Sequence, residues 1–211
     1  MADPAGPKPF FFDLWSRFYD APLVQRLTYR PVHDAVLRAL RELAPKQVLD
    51  VGCGTGLFTT RLRGELAGAQ VVGCDFSHGM LREAAGHGGR RAWVQGDGQR
   101  LPFRDASFDA LLSTEAFHWF PDQERALADF HRVLAPGGRI FVAFVNPPVE
   151  LLSELSRLGS RLIGEPFYWP TRETMRARVE AAGFRLLSQS RIQRIPFGVL
   201  FPPVLTVAAR P

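Results

Sequence analysis

At 211 residues the chain has room for one hydrophobic core and little for a second catalytic module. Its 46% hydrophobic, 22% charged and 11% aromatic residues lie in the ordinary globular range, which excludes a disordered, collagen-like or disulfide-scaffold chain. The net charge is +5, and of 26 basic residues only Lys8 and Lys46 are lysine; the arginines are scattered, with no run longer than Arg90–Arg91, so no nucleic-acid partner is expected.

Residues 1–9, rich in Pro and Gly, read as a loose leader without the charged start and apolar stretch of a signal peptide, and no apolar run approaches ~18 residues. The expectation is a cytoplasmic protein with no transmembrane segment. An aromatic-dense stretch follows, Phe10, Phe11, Phe12, Trp15, Phe18 and Tyr19, and then Val32, Val36, Leu37, Leu40 and Leu43 at helical spacing, with Pro31 suited to a first turn and Pro45 beyond the end.

From residue 47 the pattern changes to short apolar runs separated by helix-length segments, which predicts βα units feeding a parallel sheet. Strands are expected at Gln47–Gly52, Gln70–Asp75, Arg91–Gly96, Phe108–Ser113 and Arg139–Val145. Helices are expected near Thr55–Ala67, Ser77–Ala85 and Asp122–Leu134, the last stopping at Pro136-Gly137-Gly138. Beyond Val145 come a Leu-rich helix at Val149–Ile163, an aromatic break at Phe167-Tyr168-Trp169 and a helix between Thr171 and Gly183. Strands at Phe184–Arg191 and Val204–Ala209 close the chain, with Pro196, Pro202 and Pro203 between them better suited to a connection or a sheet edge than to a central strand. The fold class is therefore α/β, a doubly wound sheet in a single domain.

Val48-Leu49-Asp50-Val51-Gly52-Cys53-Gly54-Thr55-Gly56-Leu57 is an apolar strand running into a glycine-rich turn that opens a helix, a turn whose backbone N–H groups can approach a ligand closely. Asp75 ends the second strand, where an acid can hold a ribose diol by two hydrogen bonds. Together they read as a site for an adenosine-type cofactor. The nicotinamide fingerprint needs glycine at 57, where the chain has Leu57, so the spacing disfavours a nicotinamide. Cys53 and Cys74, each between small residues in an apolar run, read as buried thiols, and the five histidines form no metal-ligand pattern.

Val48–Gly56, Val72-Gly73-Cys74-Asp75, Gln95-Gly96-Asp97-Gly98, Leu101-Pro102-Phe103, Ser107-Phe108-Asp109 and Arg132-Val133-Leu134-Ala135-Pro136-Gly137-Gly138 occur in that order. In this the chain resembles the class I S-adenosylmethionine-dependent methyltransferases, most of all their small quinone- and lipid-type subgroup, over residues 45–145. The resemblance implies a Rossmann-like sheet, mostly parallel with an antiparallel C-terminal strand, and S-adenosyl-L-methionine as cofactor. It divides the domain into a helical N-terminal lid (1–44), a cofactor-binding core (45–145), an acceptor-side insertion (146–183) and C-terminal strands (184–211).

The resemblance also implies roles. Asp50, Gly52, Gly54 and Gly56 would lie beside the methionine part of the cofactor, Asp75 on the ribose hydroxyls, Asp97 with the Gly98 backbone at the adenine amine and ring nitrogen, and Phe76 against the adenine face. Tyr19 would belong to a lid. Each acid has a local alternative: Asp50 as a cap of the turn, Asp75 as a cap for the helix at Ser77, Asp97 as the holder of an Asx-type turn. His118, in Ser113-Thr114-Glu115-Ala116-Phe117-His118-Trp119-Phe120 after the fourth strand, is the candidate general base, or else a histidine held in a local hydrogen bond. Glu115 either orients substrate or caps the helix beyond Pro121. Asn146-Pro147-Pro148-Val149 follows the fifth strand and lacks an aromatic fourth residue, so it is not read as the signature of nucleic-acid amino-methyltransferases.

Methyl transfer is an in-line displacement, which makes positioning the main catalytic task. The two aromatic clusters point to a small-molecule acceptor that is apolar or aromatic, a lipid or quinone, with contact at a membrane surface as one variant. A cofactor-binding regulatory or scaffold protein without catalysis is the alternative.

Overall fold

Residues 29–87, 92–163, 168–192 and 202–211 are described by the structure, a computed structural model. The expected aromatic lid at 10–19 lies outside them. Pro31 stands in the first turn of α1 (Arg30–Leu43), where its missing N–H is no loss. The helix stops at Ala44, which turns left-handed (φ 48°) and donates its N–H to the carbonyl of Leu40.

β1 (Gln47–Val51), α2 (Leu57–Glu65), β2 (Gln70–Asp75), α3 (His78–Gly86), β3 (Trp93–Gln95) and β4 (Phe108–Thr114) follow. A single 3-10 turn at Phe117–Trp119 leads to α4 (Gln123–Val133), β5 (Leu134–Val145), α5 (Glu150–Ile163), α6 (Arg172–Ala181), β6 (Arg185–Arg191) and β7 (Pro203–Ala209). The strands form one sheet in the order β3-β2-β1-β4-β5-β7-β6, with β1 to β5 mutually parallel and β7 antiparallel to both β5 and β6. This is the Rossmann-like sheet that the resemblance implied. The strand order reverses between β1 and β4, and a crevice at such a switch point is where ligands bind in open α/β sheets.

Two elements depart from the sequence expectation. β7, expected from Val204, begins at Pro203 and is an interior strand; as first residue Pro203 breaks no ladder by its missing N–H, and its carbonyl still accepts from Ile192 N–H. β5 begins at Leu134 instead of Arg139, because Leu134 pairs with Phe108 before the register shifts and the chain bulges through Gly137 (φ 80°).

Alternation along the strands divides the core in two. Leu49, Leu111, Val142 and Phe144 pack with Leu127 and Phe130 of α4 and Met175 and Val179 of α6, while Val48, Leu112 and Phe141 pack with Val36 and Leu40 of α1 and Phe58 and Leu62 of α2. Phe130 is wholly buried, and truncating such a side chain to alanine costs about 3–5 kcal/mol.

Two of the sequence blocks act as fasteners. Asp109 Oδ2 accepts the backbone N–H groups of Lys46 and Gln47 at 2.6 and 3.2 Å and so fixes the start of β1. Arg132 binds Asp129 and Asp105 and donates to the carbonyls of Leu101 and Phe103, holding the loop that follows Gly98 against α4.

Candidate functional site

β1 ends at Val51 and the chain turns through Gly52, Gly54 and Gly56, all at positive φ (75°, 54° and 75°), into α2. Two of these glycines are required by neighbours. A Cβ on Gly52 would stand 2.3 Å from the Cβ of Ala116 in the loop after β4, and one on Gly56 would stand 2.3 Å from the Trp93 ring. At Gly54 the nearest atom is Met80 Sδ at 4.0 Å, so that backbone has open space over it. α2 begins at Gly56 without a side-chain cap.

Asp50 is buried on the α2 side of the sheet. Its Oδ2 accepts the Thr59 hydroxyl at 2.6 Å, which ties β1 to the first turn of α2, and its Oδ1 has no partner. It does not cap the turn. Burial pushes its pKa up to about 7, the Thr59 hydrogen bond opposing and the nearby Asp75 adding. Asp75, at the end of β2, accepts Gly54 N–H at 2.8 Å on one oxygen and Ser77 N–H at 2.9 Å on the other. It thereby holds the glycine loop to the start of α3, while Ser77 itself caps that helix by accepting Met80 N–H. Burial raises its pKa, and these backbone donors pull it back.

Asp97 is exposed and its Oδ1 accepts Gln99 N–H at 2.9 Å, the Asx-type turn that the sequence allowed. Gly98 beside it is closed in by Phe120 and Val51, at 2.8 and 3.2 Å from where a Cβ would stand. Phe76 is half-buried, and its carbonyl accepts from Gln95 Nε2. Asp50, Gly52, Gly54, Gly56, Asp75, Phe76, Asp97 and Gly98 thus all stand at or just beyond the carboxyl ends of β1, β2 and β3. Tyr19 lies outside the described residues.

His118 sits in the 3-10 turn after β4, buried among Trp119, Phe144 and Trp169, with ring centroids at 5.2, 6.1 and 6.1 Å. Burial drives its pKa down to about 3, so the imidazole is neutral at physiological pH. Its carbonyl accepts Tyr168 N–H at 2.8 Å, the first of several bonds that fix residues 168–170. Gln123 Nε2 donates to the carbonyls of Phe117 and Tyr168, and Arg178 donates to Gln123 Oε1 at 2.6 Å. Ser153 donates to the Trp169 carbonyl, Trp169 N–H donates to Ser156 Oγ, and Asn146 Nδ2 donates to the Pro170 carbonyl. The Tyr168 ring lies between Arg157 and Arg178 at 5.5 and 4.9 Å. The aromatic break is thus a rigid wall bolted onto the His118 turn; Phe167 lies outside the described residues.

Gln123, Ser153 and Ser156 gave no signal in the sequence, because a polar residue on a helix reads as solvent-facing until its tertiary partner is known. Glu115 was half visible. It takes φ 53°, strained for a residue with a side chain, directly after β4. It does not cap the following helix, since Asp122 does so by accepting Arg125 N–H. Cys53 and Cys74 are buried free thiols, Cys74 pushed up to about 12 by burial, and no cluster of three metal-ligating side chains occurs among the described residues.

Residues 49–142 match the family model described as a methyltransferase domain. The chain is 35% identical over 182 residues to a demethylmenaquinone methyltransferase of Thermus thermophilus, covering 75% of this chain and 81% of that protein. It is 36% identical over 152 residues to a malonyl-[acyl-carrier protein] O-methyltransferase of Geobacter sulfurreducens, covering 67% and 56% respectively. Among solved structures, a chain of the complex between the Haloferax volcanii Trm112 methyltransferase activator and a putative methyltransferase superposes with a TM-score of 0.76 at 24% identity, over 95% of this chain and 97% of that one.

Fold and site define an enzyme of the class I, S-adenosylmethionine-dependent methyltransferase type. The chain belongs to that family, and its cofactor is S-adenosylmethionine. The residues present fit that group: a glycine loop open above Gly54, an uncapped helix start, and a buried carboxylate oxygen on Asp50 with no protein donor. No helix among the described residues is long and apolar enough to cross a membrane.

Proposed function

We propose that this enzyme methylates a small, flat, apolar acceptor, a phenol, quinol or lipid-like ring, at the carboxyl ends of β4 and β5. The observation that carries the reading is the Tyr168-Trp169 strip, packed on the buried rings of His118 and Phe144 and held by hydrogen bonds from α4, α5 and the residue after β5. The named substrates of the relatives support it in part: the Thermus protein is named for a quinone precursor, whereas the Geobacter protein is named for a malonyl group on a carrier protein. Val149, Leu151, Leu155 and Leu158, each more than half exposed at the start and along one face of α5, favour an acceptor met at an apolar surface.

Bound cofactor supplies an electrophilic methyl on a sulfonium. The chain's task is to hold that methyl in line with the acceptor and to keep water away. Gly52, Gly54 and Gly56 with Asp50 are assigned to the methionine end, Asp75 to the ribose hydroxyls, Asp97 and the Gly98 backbone to the adenine edge, and Phe76 to its face. Since Asp75 already accepts two backbone N–H groups, its remaining lone pairs would take the diol. His118 is assigned to the acceptor's proton. Burial leaves it neutral and able to accept a hydrogen bond, and a pKa near 3 makes it a positioner of the O–H more than a strong base.

The test is incubation of purified protein with methyl-labelled S-adenosylmethionine and cell extract, followed by separation into organic, small-aqueous and macromolecular fractions. Label in the organic fraction above a heat-denatured blank is expected. Label confined to the macromolecular fraction would overturn the small-acceptor reading in favour of a carrier-protein substrate.

A further inference from the structure

Asn146 directly follows β5 and is 96% buried, at 4% exposure. Its Nδ2 donates to the Pro170 carbonyl at 2.7 Å, which fixes the orientation of the amide, because a flip would set two acceptor oxygens face to face at that distance. The other end of the same amide, Oδ1, is buried and has no hydrogen-bond donor. A carbonyl oxygen in that position forfeits its hydration without compensation, and a donor brought by a ligand would restore it.

The place of this oxygen in the fold says which ligand. Asn146 stands two residues beyond Phe144, whose ring lies against both His118 and Phe117. Asn146 and His118 grip the Tyr168–Pro170 strip from its two ends, with Trp169 between them. Asp50, whose unpartnered Oδ1 belongs to the glycine-loop side, is on the face of the sheet opposite Phe144. Asn146 thus belongs with the His118 turn and the proposed acceptor wall.

We infer that Asn146 is a specificity-determining residue whose Oδ1 accepts a hydrogen bond from a hydroxyl on the aromatic methyl acceptor. The inference rests on the proposed aromatic acceptor and narrows it to rings that carry an O–H. An uncharged amide oxygen selects a neutral donor, so quinols and phenols bind in preference to quinones or plain hydrocarbons of the same outline.

The experiment measures binding of 1-naphthol and of 1-fluoronaphthalene, ring-matched and differing in the donor, to the full chain saturated with S-adenosylhomocysteine. Wild type is expected to bind 1-naphthol about fivefold to 100-fold more tightly. In Asn146→Leu that ratio should fall at least about threefold, His118 still being present, while S-adenosylhomocysteine affinity is retained. In a nitrogen-labelled sample the Asn146 side-chain amide signal, assigned by its loss in Asn146→Asp, should shift with 1-naphthol and stay in place with 1-fluoronaphthalene. Equal binding of the two ligands by wild type, binding of neither, or an unchanged ratio in a folded Asn146→Leu would overturn the inference. The wild-type comparison and the amide signal decide the matter even if the leucine variant does not fold. Failure of wild type to bind S-adenosylhomocysteine would be a failure of the cofactor site and is separately visible.

Discussion

Gly52 is where the cofactor loop and the turn that carries His118 touch, which makes Gly52→Ala a sharp perturbation. The new Cβ would stand 2.3 Å from the Cβ of Ala116, and the residue sits at φ 75°. The left-handed backbone costs an alanine about 1–2 kcal/mol. Forcing an extra carbon into a packed contact adds about 1–3 kcal/mol. A total loss of about 2–5 kcal/mol is therefore expected in urea unfolding, read as a lower midpoint at unchanged slope. Adding Ala116→Gly frees the space but leaves the backbone term, so the double variant should regain about 1–3 kcal/mol over the single, a coupling that independent sites would not give. Because the displaced loop leads directly to Phe117–Trp119, methyl transfer should fall further than S-adenosylhomocysteine affinity. Stability equal to wild type in Gly52→Ala, or a double variant no better than the single, would refute the contact.

Asp75→Ala removes the acceptor for two backbone N–H groups as well as the assigned ribose contact. It should lose stability by about 1–3 kcal/mol and bind S-adenosylhomocysteine at least about tenfold more weakly, which calorimetry checks; unchanged affinity would remove Asp75 from the cofactor site. Gln123→Leu cuts the link from Arg178 to the Phe117 and Tyr168 carbonyls, so the acceptor KM should rise about tenfold with cofactor affinity untouched. The pH dependence has a worked sign. Burial holds His33 and His118 near 3, against 6.5 when unfolded, so the unfolded chain binds more protons and stability falls as pH drops from 6.5 toward 3. Asp50, raised to about 7 from 3.8, does the reverse and gains stability as pH falls through 7 toward 3.8. From these three groups two losses against one gain leave stability falling as pH drops from 6.5 toward 4, by about 1 kcal/mol per pH unit. In His33→Phe, which keeps the stack on Phe58, one loss meets one gain and the urea midpoint should become nearly flat over that range; an unchanged slope would refute the assignment.

The fold around the glycine loop was legible in the sequence because its information is local. A strand, a glycine turn and an acid at the next strand's end occupy short windows, and each is dictated by backbone requirements that glycine or a carboxylate alone meets. Even there the sequence did not say why each residue is needed: Gly52 and Gly56 answer to Ala116 and Trp93, partners that stand 64 and 37 residues away along the chain. Asp50, Asp75 and Asp97 turned out to hold Thr59, two backbone amides and Gln99, so the local alternatives weighed against cofactor contact were in part correct and are compatible with it. The strand after the prolines was expected from Val204, and Pro203 extends it by one residue because a first residue needs no ladder N–H.

The part around the His118 turn was only half legible: His118 and the aromatic break at 167–169 stood out, but what holds them together did not. Its wall is built from main-chain atoms of residues 168–170, which have no sequence preference, held by Gln123, Ser153, Ser156 and Asn146 from three separate elements. Only closure of the sheet brings these groups together. On the proposed reading, substitutions in the glycine loop should act on cofactor binding and on fold together, whereas changes at the polar residues behind the aromatic wall should leave cofactor affinity alone and alter which acceptor is taken. Exchanging Trp169 for Phe should then alter the order of preference among aromatic acceptors while leaving S-adenosylhomocysteine affinity within about twofold, and a parallel loss of both would mean that the wall and the cofactor cradle are one unit.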